Sequence, residues 1–222
     1  MMPRVGIRRA AVVIAARPGP DGPEVLVLER SGASRFLPGY VAFPGGAVDA
    51  QDERLAERWF GRAAEAARAC AVRELLEEVG LALTADGLAR ADGPAFPLRA
   101  IDGAPPAAAQ LVRIAHWVAP EDVPVRFDAE YFAVAAPPGL EPVPDGREIA
   151  AAWWSSPGRL LAQWEQGRRK LYWPTYHTVR ALAACGSVAE LLALEIPTRE
   201  PDEDELARLP RSTFWQDGEE RA

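Results

Sequence analysis

The stretch Arg73-Glu74-Leu75-Leu76-Glu77-Glu78-Val79-Gly80-Leu81 holds the side chains best suited to chemistry. On a helix, Glu74, Glu77 and Glu78 stand at i, i+3 and i+4, so their carboxylates share one face. Val72, Leu75, Leu76 and Val79 recur at i, i+3, i+4 and i+7 as an apolar stripe. Gly80 is placed to cap the helix C-terminus. Three carboxylates on one face repel one another, and no lysine or arginine follows four residues later to relieve them. A hard divalent cation removes that conflict, and an all-oxygen donor set selects Mg²⁺, Mn²⁺ or Ca²⁺. Mg²⁺ keeps part of its water shell and binds substrate phosphates, so the expected chemistry is at a phosphate. For glutamates alone an ordinary solvated acidic face is the competing reading. The full pattern, expected by chance about once in 10⁴ to 10⁵ chains of this size, favours the first.

The elements that must position these side chains are legible in outline. Residues 63–79 read as the helix that carries them. Residues 10–16 (AAVVIAA) and 24–30 are short apolar runs separated by RPGPDGP, which predicts a hairpin with a long loop. Residues 40–43 read as a further strand, stopped by Pro44-Gly45-Gly46, and 51–60 as a charged helical segment. Residues 84–109 read as loop. Strands are predicted at 111–118, 126–135 and 149–154. Helices are predicted at 160–166, at 175–184 after Pro174, and at 188–194. Strands and helices mix without a regular βαβ alternation, which predicts an α+β fold. With 222 residues the chain fits one large domain with extensions, here a domain at 1–198 and an acidic tail at 199–222.

Composition narrows the function classes. Two cysteines, Cys70 and Cys185, exclude a disulfide scaffold and a cysteine-based zinc site. Two histidines, His116 and His177, argue against a multi-histidine metal centre. Cys70 has no identifiable base beside it and reads as a small buried residue, and His177 as core or surface. A net charge of −7 gives no basic footprint for nucleic acid. No run approaches the ~20 apolar residues of a membrane span. AAVVIAA follows Arg4, Arg8 and Arg9 but is short, and Arg17-Pro18-Gly19 reads as a turn rather than a cleavage site. Glu220-Arg221-Ala222 is not a peroxisomal address. The expectation is a cytoplasmic protein with no nucleic-acid or membrane partner.

The pattern R-E-U-x-E-E-x-G-U, with U aliphatic, resembles the second half of the Nudix box, whose full form is G-x5-E-x7-R-E-U-x-E-E-x-G-U. Glu65 lies eight residues before Arg73, where that family has its first glutamate. The position six before Glu65 is Trp59, not glycine, and the nearest sensible glycine is Gly46, 19 residues before Glu65. The loop half therefore carries a 13-residue insertion, at about 47–62. The resemblance implies a Nudix-fold α/β/α sandwich with a mixed sheet and extra C-terminal helices. It implies Mg²⁺ or Mn²⁺ as cofactor, with Glu77 and Glu78 as main metal ligands. Glu74 would be a ligand or a base, oriented by Arg73, while a metal-activated water attacks one phosphorus. On one continuous helix Glu65 would face the far side from Glu74, so it serves from a loop or packs structurally. Many Nudix enzymes take the general base from a later loop. Glu148, in Asp145-Gly146-Arg147-Glu148, is the candidate here.

The segment before the box bears on substrate. Arg30-Ser31, Arg35, Gly39 and Phe43-Pro44-Gly45-Gly46 read R-S-x3-R-x3-G-x3-F-P-G-G, which resembles the motif of coenzyme A diphosphatases. It departs at its start, where Leu26-Val27-Leu28 stands for Leu-Leu-Thr. A second similarity is to the branch containing the peroxisomal acyl-CoA diphosphatase (moiety X motif nineteen). It runs through Arg126-Phe127-Asp128, Phe132, Ala136-Pro137-Pro138-Gly139, Glu141-Pro142, Pro144-Asp145-Gly146, Glu148, Trp154, Pro174-Thr175-Tyr176 and Thr178. Both imply cleavage of coenzyme A or acyl-CoA to 3′,5′-ADP and (acyl-)phosphopantetheine. Arg30 and Arg35 would grip phosphate oxygens as bidentate forks, with Gly45, Gly46 and Tyr176 as further substrate-binding candidates. The same chemistry on ADP-ribose, a dinucleotide or a nucleotide sugar is the alternative. A non-catalytic Nudix-fold ligand sensor would be expected to lose ligand carboxylates, and all three are present.

Trp153, Trp154, Trp164 and Trp173, with Tyr172 and Tyr176, read first as packing between strand and C-terminal helices. Stacking on an adenine or lining an acyl pocket comes second. Phe214-Trp215 is available to dock on the domain or on a second subunit of a homodimer. The tail holds eight acidic and four basic residues, so it carries −4 of the −7. Two divalent ions would bring the remaining body to about +1, compatible with a small phosphate-rich ligand.

Overall fold

A computed structural model describes residues 6–34, 36–91, 98–119 and 126–198. Arg35, the acidic tail and Phe214-Trp215 lie outside the described residues. The apolar run at the start forms β1 (Arg8–Gly19), and its side chains alternate between two cores. Ala11, Val13 and Ala15 point to one face; Ala10, Ile14 and Ala16 point to the other. β2 (Gly22–Arg30) does the same, with Leu26 and Leu28 opposite to Val25 and Val27. A sheet covered on both faces needs such continuous apolar runs rather than a polar-apolar alternation.

The first face is covered by α1 (Ala50–Phe60) and α2 (Ala66–Val79). The second is covered by α3 (Pro157–Glu165), α4 (Trp173–Leu182) and α5 (Val188–Leu192). The result is the α/β/α sandwich expected, with extra C-terminal helices. The remaining strands are β3 (Tyr40–Ala42), β4 (Gly45–Ala47), β5 (Leu81–Thr84), β6 (Gly87–Arg90), β7 (Val112–Val118), β8 (Phe127–Ala135), β9 (Ile149–Ser155) and β10 (Lys170–Leu171). The main sheet is mixed. β1 lies parallel to β8 along Arg8–Ala16, and β10 lies parallel to β3. The other pairings are antiparallel, including β7 with β8, and β9 with β2.

One topological detail creates the site. β1 pairs with β2 only at the hairpin end, from Ala16↔Val25 to Gly19↔Gly22. Beyond it the two strands part: β1 takes β4 at Ala10–Val12, and β2 takes β3 at Leu28 and Glu29. The gap between these pairings opens toward the C-terminal part of α2.

Two expectations need correction. The long hairpin loop does not exist, because the strands run on to a two-residue turn at Pro20-Asp21. Pro18 and Pro23 face each other, and β8 stops pairing with β1 at Ala16, so no donor is missing from that ladder. Residues 84–109 are not uniformly loop: β5 and β6 form a separate hairpin, and Leu98–Gly103 forms a 3₁₀ turn whose Ile101 is buried. The two strands are four residues each and hold a single β-branched residue, Thr84, so packing rather than propensity makes them. The predicted helix at 63–79 divides into a 3₁₀ turn, Ala63–Glu65, and α2, which ends as expected at Gly80 in the left-handed conformation (φ 65°). Among the described residues no helix is long and apolar enough to cross a membrane.

α2 is anchored by Val72, Leu75, Leu76 and Val79, all buried against the sheet. Leu75 has no exposed surface. Leu75→Ala is expected to cost about 2–5 kcal/mol, through lost burial and a residual cavity. Urea unfolding should show a lower midpoint at an unchanged slope.

Candidate active site

A cavity of about 500 Å³ occupies the gap between β1 and β2. Glu74, Glu78 and Glu148 line it, together with Arg30, Gly45 and Gly46. The rest of its wall is mainly apolar and aromatic, with Phe36, Tyr40, Phe127, Tyr131, Trp117 and Trp173 among its residues, and Arg8 and Thr175 also line it. Leu37, also in the wall, holds a left-handed backbone (φ 50°), a strained conformation for a branched side chain.

Arg73 organises the acidic end. It is buried, and Asp52 takes one edge of its guanidinium: Nε donates to Oδ1 at 2.8 Å and Nη2 to Oδ2 at 3.0 Å. Nη1 donates to Glu74 Oε1 at 2.8 Å and to Glu77 Oε2 at 2.9 Å. Burial alone works against the Arg73 charge, but the hydrogen bonds to Asp52, with the charge of Glu74, outweigh it and hold the guanidinium protonated. The carboxylate cluster is therefore relieved by Arg73, one residue before Glu74 and four before Glu77. The relief comes from the N-terminal side of the cluster rather than from the following turn. Sequence reasoning missed Asp52, which has no exposed surface and sits on α1. Two signals were available: an acidic residue three after Asp49 at a helix start, and the spacing Gly46-x5-Asp52, which matches the start of the box counted from Gly46.

The three glutamates do not act alike. Glu74 and Glu78 face the cavity; Glu77 is turned to Arg73, and its side chain is 48% exposed. Glu78 accepts a hydrogen bond from the Gly45 amide at 2.9 Å. A Cβ on Gly45 would collide with the Ala11 carbonyl, and one on Gly46 would fall on the Glu74 carboxylate. Both glycines are needed for backbone and carboxylate to approach this closely. Glu148 reaches the site because the loop before β9 is tied to the end of α2. Val143 N donates to Val79 O at 2.8 Å and Asp145 N to Glu78 O at 3.1 Å. Asp145 in turn accepts from the amides of Arg147, Glu148 and Ile149.

The other candidates fall elsewhere. Glu65 does not line the cavity; it is ion-paired with Arg62 and Arg68 at the start of α2. Tyr176 packs on Trp164 (ring centroids 4.4 Å apart) and is absent from the cavity wall. Arg30 is in the wall, with Nε bound to the Phe36 carbonyl at 2.8 Å and Nη2 to Ser34 Oγ at 3.1 Å. Trp173 and Tyr172 face the cavity, whereas Trp154 belongs to the core. His177 is buried among Trp117, Trp173 and Tyr176, and Cys70 is buried with its thiol pushed up by burial.

Burial pushes the Glu78 carboxyl up to about 8, reinforced by the charges of Glu74 and Glu148 against the Gly45 hydrogen bond and Arg30. Glu74 is also raised by burial, against the pull of Arg73. Buried carboxylates that disfavour their own charge, with only oxygen donors facing the cavity, fit a hard divalent cation. Among the described residues no three acidic, histidine or cysteine side chains already converge as a finished metal cluster. Glu74 and Glu78 would hold the ion, with Glu148 facing it.

The NUDIX domain model matches residues 6–173. The chain belongs to the NUDIX domain family. A NUDIX hydrolase from Alicyclobacillus acidocaldarius superposes with a TM-score of 0.75 at 31% identity, covering 86% of this chain and 98% of that one. "Putative nudix hydrolase 7" of Caenorhabditis elegans is 40% identical over 63 residues, 28% of this chain. That match spans 19% of the relative's own length. This Nudix protein is an enzyme, a pyrophosphohydrolase, of a family that uses divalent metal ions.

Glu78→Gln tests the acidic end twice. Turnover should fall by about 10³ or more, because a metal ligand is lost. In metal-free protein the sign of the stability change is opposite. A carboxyl raised from 4.5 to about 8 binds a proton in the folded state over that window, so wild-type stability falls as pH rises through it. At pH 8 without metal, Glu78→Gln should melt higher than wild type. Wild-type turnover in the variant, or a lower metal-free melting temperature, would contradict this assignment.

Proposed function

We propose that this Nudix hydrolase cleaves the diphosphate bond of coenzyme A or acyl-CoA, giving 3′,5′-ADP and (acyl-)phosphopantetheine. The observation that carries the reading is the division of the cavity. Its acidic end holds Glu74, Glu78 and Glu148, and the remaining wall is mostly aromatic and aliphatic, with Arg8 and Arg30 as basic residues in it. A diphosphate joined on one side to a nucleoside and on the other to a long, weakly polar arm suits such a chamber, because rings stack on aromatic faces and an apolar arm gains by leaving water. The arginine and glycine pattern from Arg30 to Gly46 supports the same reading.

Each residue has a physical task. Arg73 fixes Glu74. The amide of Gly45 holds Glu78. Arg30, braced by Ser34 and the Phe36 carbonyl, presents positive charge to the same end of the cavity. Mg²⁺ or Mn²⁺, when bound, lowers the pKa of a water and offsets charge developing on the diphosphate. Glu148, solvent-exposed beside Glu78, accepts the proton of the attacking water as general base.

A panel of coenzyme A, acyl-CoA, ADP-ribose and NADH with Mg²⁺, read by product mass, tests the proposal. The expected products are 3′,5′-ADP and (acyl-)phosphopantetheine, with kcat/KM for the CoA compounds about tenfold or more above the others. Turnover of ADP-ribose or NADH without turnover of either CoA compound would overturn the substrate and leave the chemistry standing.

A further inference from the structure

We infer that Arg8, at the start of β1, binds a second anionic group of the substrate: a phosphomonoester on the ribose, separate from the diphosphate. Arg8 lines the cavity, although it stands 22 residues before the arginine and glycine pattern that begins at Arg30. Three observations converge on it. The first is position. In the parallel pairing of β1 with β8, Arg8 stands opposite Phe127, Ala10 opposite Ala129 and Val12 opposite Tyr131. All six line the cavity, so these pairs run along it like rungs. Val12 also pairs with Gly45, whose amide holds Glu78. Arg8 is four residues from that point, about 13 Å along the strand at ~3.3 Å per residue. It therefore marks the end of the chamber away from the carboxylates.

The second observation is charge. Among the described residues the Arg8 side chain has no acidic partner, and its guanidinium lies over the Phe127 ring, 5.9 Å from the centroid. Arg17, Arg68, Arg73 and Arg169 are each paired with a carboxylate. Asp128, next to Phe127 in β8, is taken by His116. Arg8 thus keeps its fork of donors for a ligand, and that fork matches the oxygens of a phosphomonoester.

The third observation is the order of groups between the two ends. Phe127 meets Phe36 edge-on, with ring centroids 5.6 Å apart, and the Arg30 guanidinium lies over the Phe36 ring at 5.9 Å. Two phenylalanine rings therefore stand between two guanidiniums. A nucleoside with an anion at each of two positions repeats that order. Its diphosphate lies at the acidic end beside Arg30, its base packs against the rings, and its phosphomonoester reaches Arg8. A nucleoside diphosphate without the extra phosphate leaves Arg8 to water. The inference rests on the proposed cleavage of coenzyme A, whose ribose carries such a group at the 3′ position. NADPH carries it at the 2′ position, and NADH and dephospho-CoA lack it, so substrate pairs that differ by this one group separate the sources.

The experiment compares full-length wild type, Arg8→Gln and Arg9→Gln with Mg²⁺ on coenzyme A against dephospho-CoA, and on NADPH against NADH. Calorimetry adds the binding of 3′,5′-ADP and of 5′-AMP. Arg8 is exposed, so its replacement leaves the core untouched, and Arg9 is an exposed arginine outside the cavity wall. Wild type should prefer coenzyme A to dephospho-CoA by about tenfold or more in kcat/KM. Arg8→Gln should raise KM for coenzyme A about tenfold, with kcat and both constants for dephospho-CoA within about twofold. It should bind 3′,5′-ADP about tenfold more weakly and 5′-AMP as wild type does, while Arg9→Gln changes none of these. An unchanged KM for coenzyme A in Arg8→Gln would overturn the inference. So would an equal loss on dephospho-CoA, or an equal loss in Arg9→Gln. If neither CoA compound is cleaved, the substrate proposal falls and the two nucleotides decide the inference: selective weakening of 3′,5′-ADP upholds it, and equal or no weakening overturns it. A preference for NADPH over NADH that Arg8→Gln abolishes, with no cleavage of coenzyme A, would uphold the subsite and overturn the substrate.

Discussion

The buried guanidinium of Arg73 is the constraint around which the rest of the site is arranged. A charge removed from water must be fully paired, and Arg73 is: Asp52 takes one edge and Glu74 and Glu77 share Nη1. Those partners come from α1 and α2, so satisfying one side chain fixes two helices against each other. The orientation of Glu74 follows from that pairing rather than from the helix alone. Glu78, one turn on, is fixed independently by the Gly45 amide. The two carboxylates that face the cavity are thus held from different sides, one by a cation and one by the backbone of a strand.

The sheet supplies the space in front of them. Because β1 exchanges β2 for β4 partway along its length, a gap opens without any edge being left unpaired at Ala10–Val12. The two glycines of β4 bring its backbone against α2. The same departure of strands exposes aromatic side chains of β3, β8 and α4 toward the gap. The acidic end and the aromatic wall are therefore both consequences of one change of strand partner, which is why they belong to a single cavity.

Much of this was legible in the sequence, for identifiable reasons. β1 and β2 were readable because double-sided burial writes uninterrupted apolar runs. α2 was readable because its stripe and its terminal glycine agree. Glu74, Glu78 and Glu148 were named from their motif, and the cavity gathers all three. What stayed hidden depended on contacts distant in sequence. Asp52 lies 21 residues before Arg73; it stands six after Gly46, at the box spacing, but taking Glu65 as the first acidic position passed it over. Glu77 shares the helix face expected but is captured by Arg73. Tyr176 follows Pro174 and Thr175, both in the cavity wall, yet the turn of α4 carries it onto Trp164. The β5–β6 hairpin was hidden because its strands are four residues long and hold a single β-branched residue, Thr84.

We assign Glu74 and Glu78, held by Arg73 and Gly45, as the cation-binding end of the cavity. Crystals grown with Mn²⁺ and measured at the manganese absorption edge test it most directly. An anomalous difference peak is expected beside the carboxylates of Glu74 and Glu78, inside the cavity and clear of the Arg73 guanidinium. A peak held by Glu77 or Glu65 with none in the cavity would contradict it.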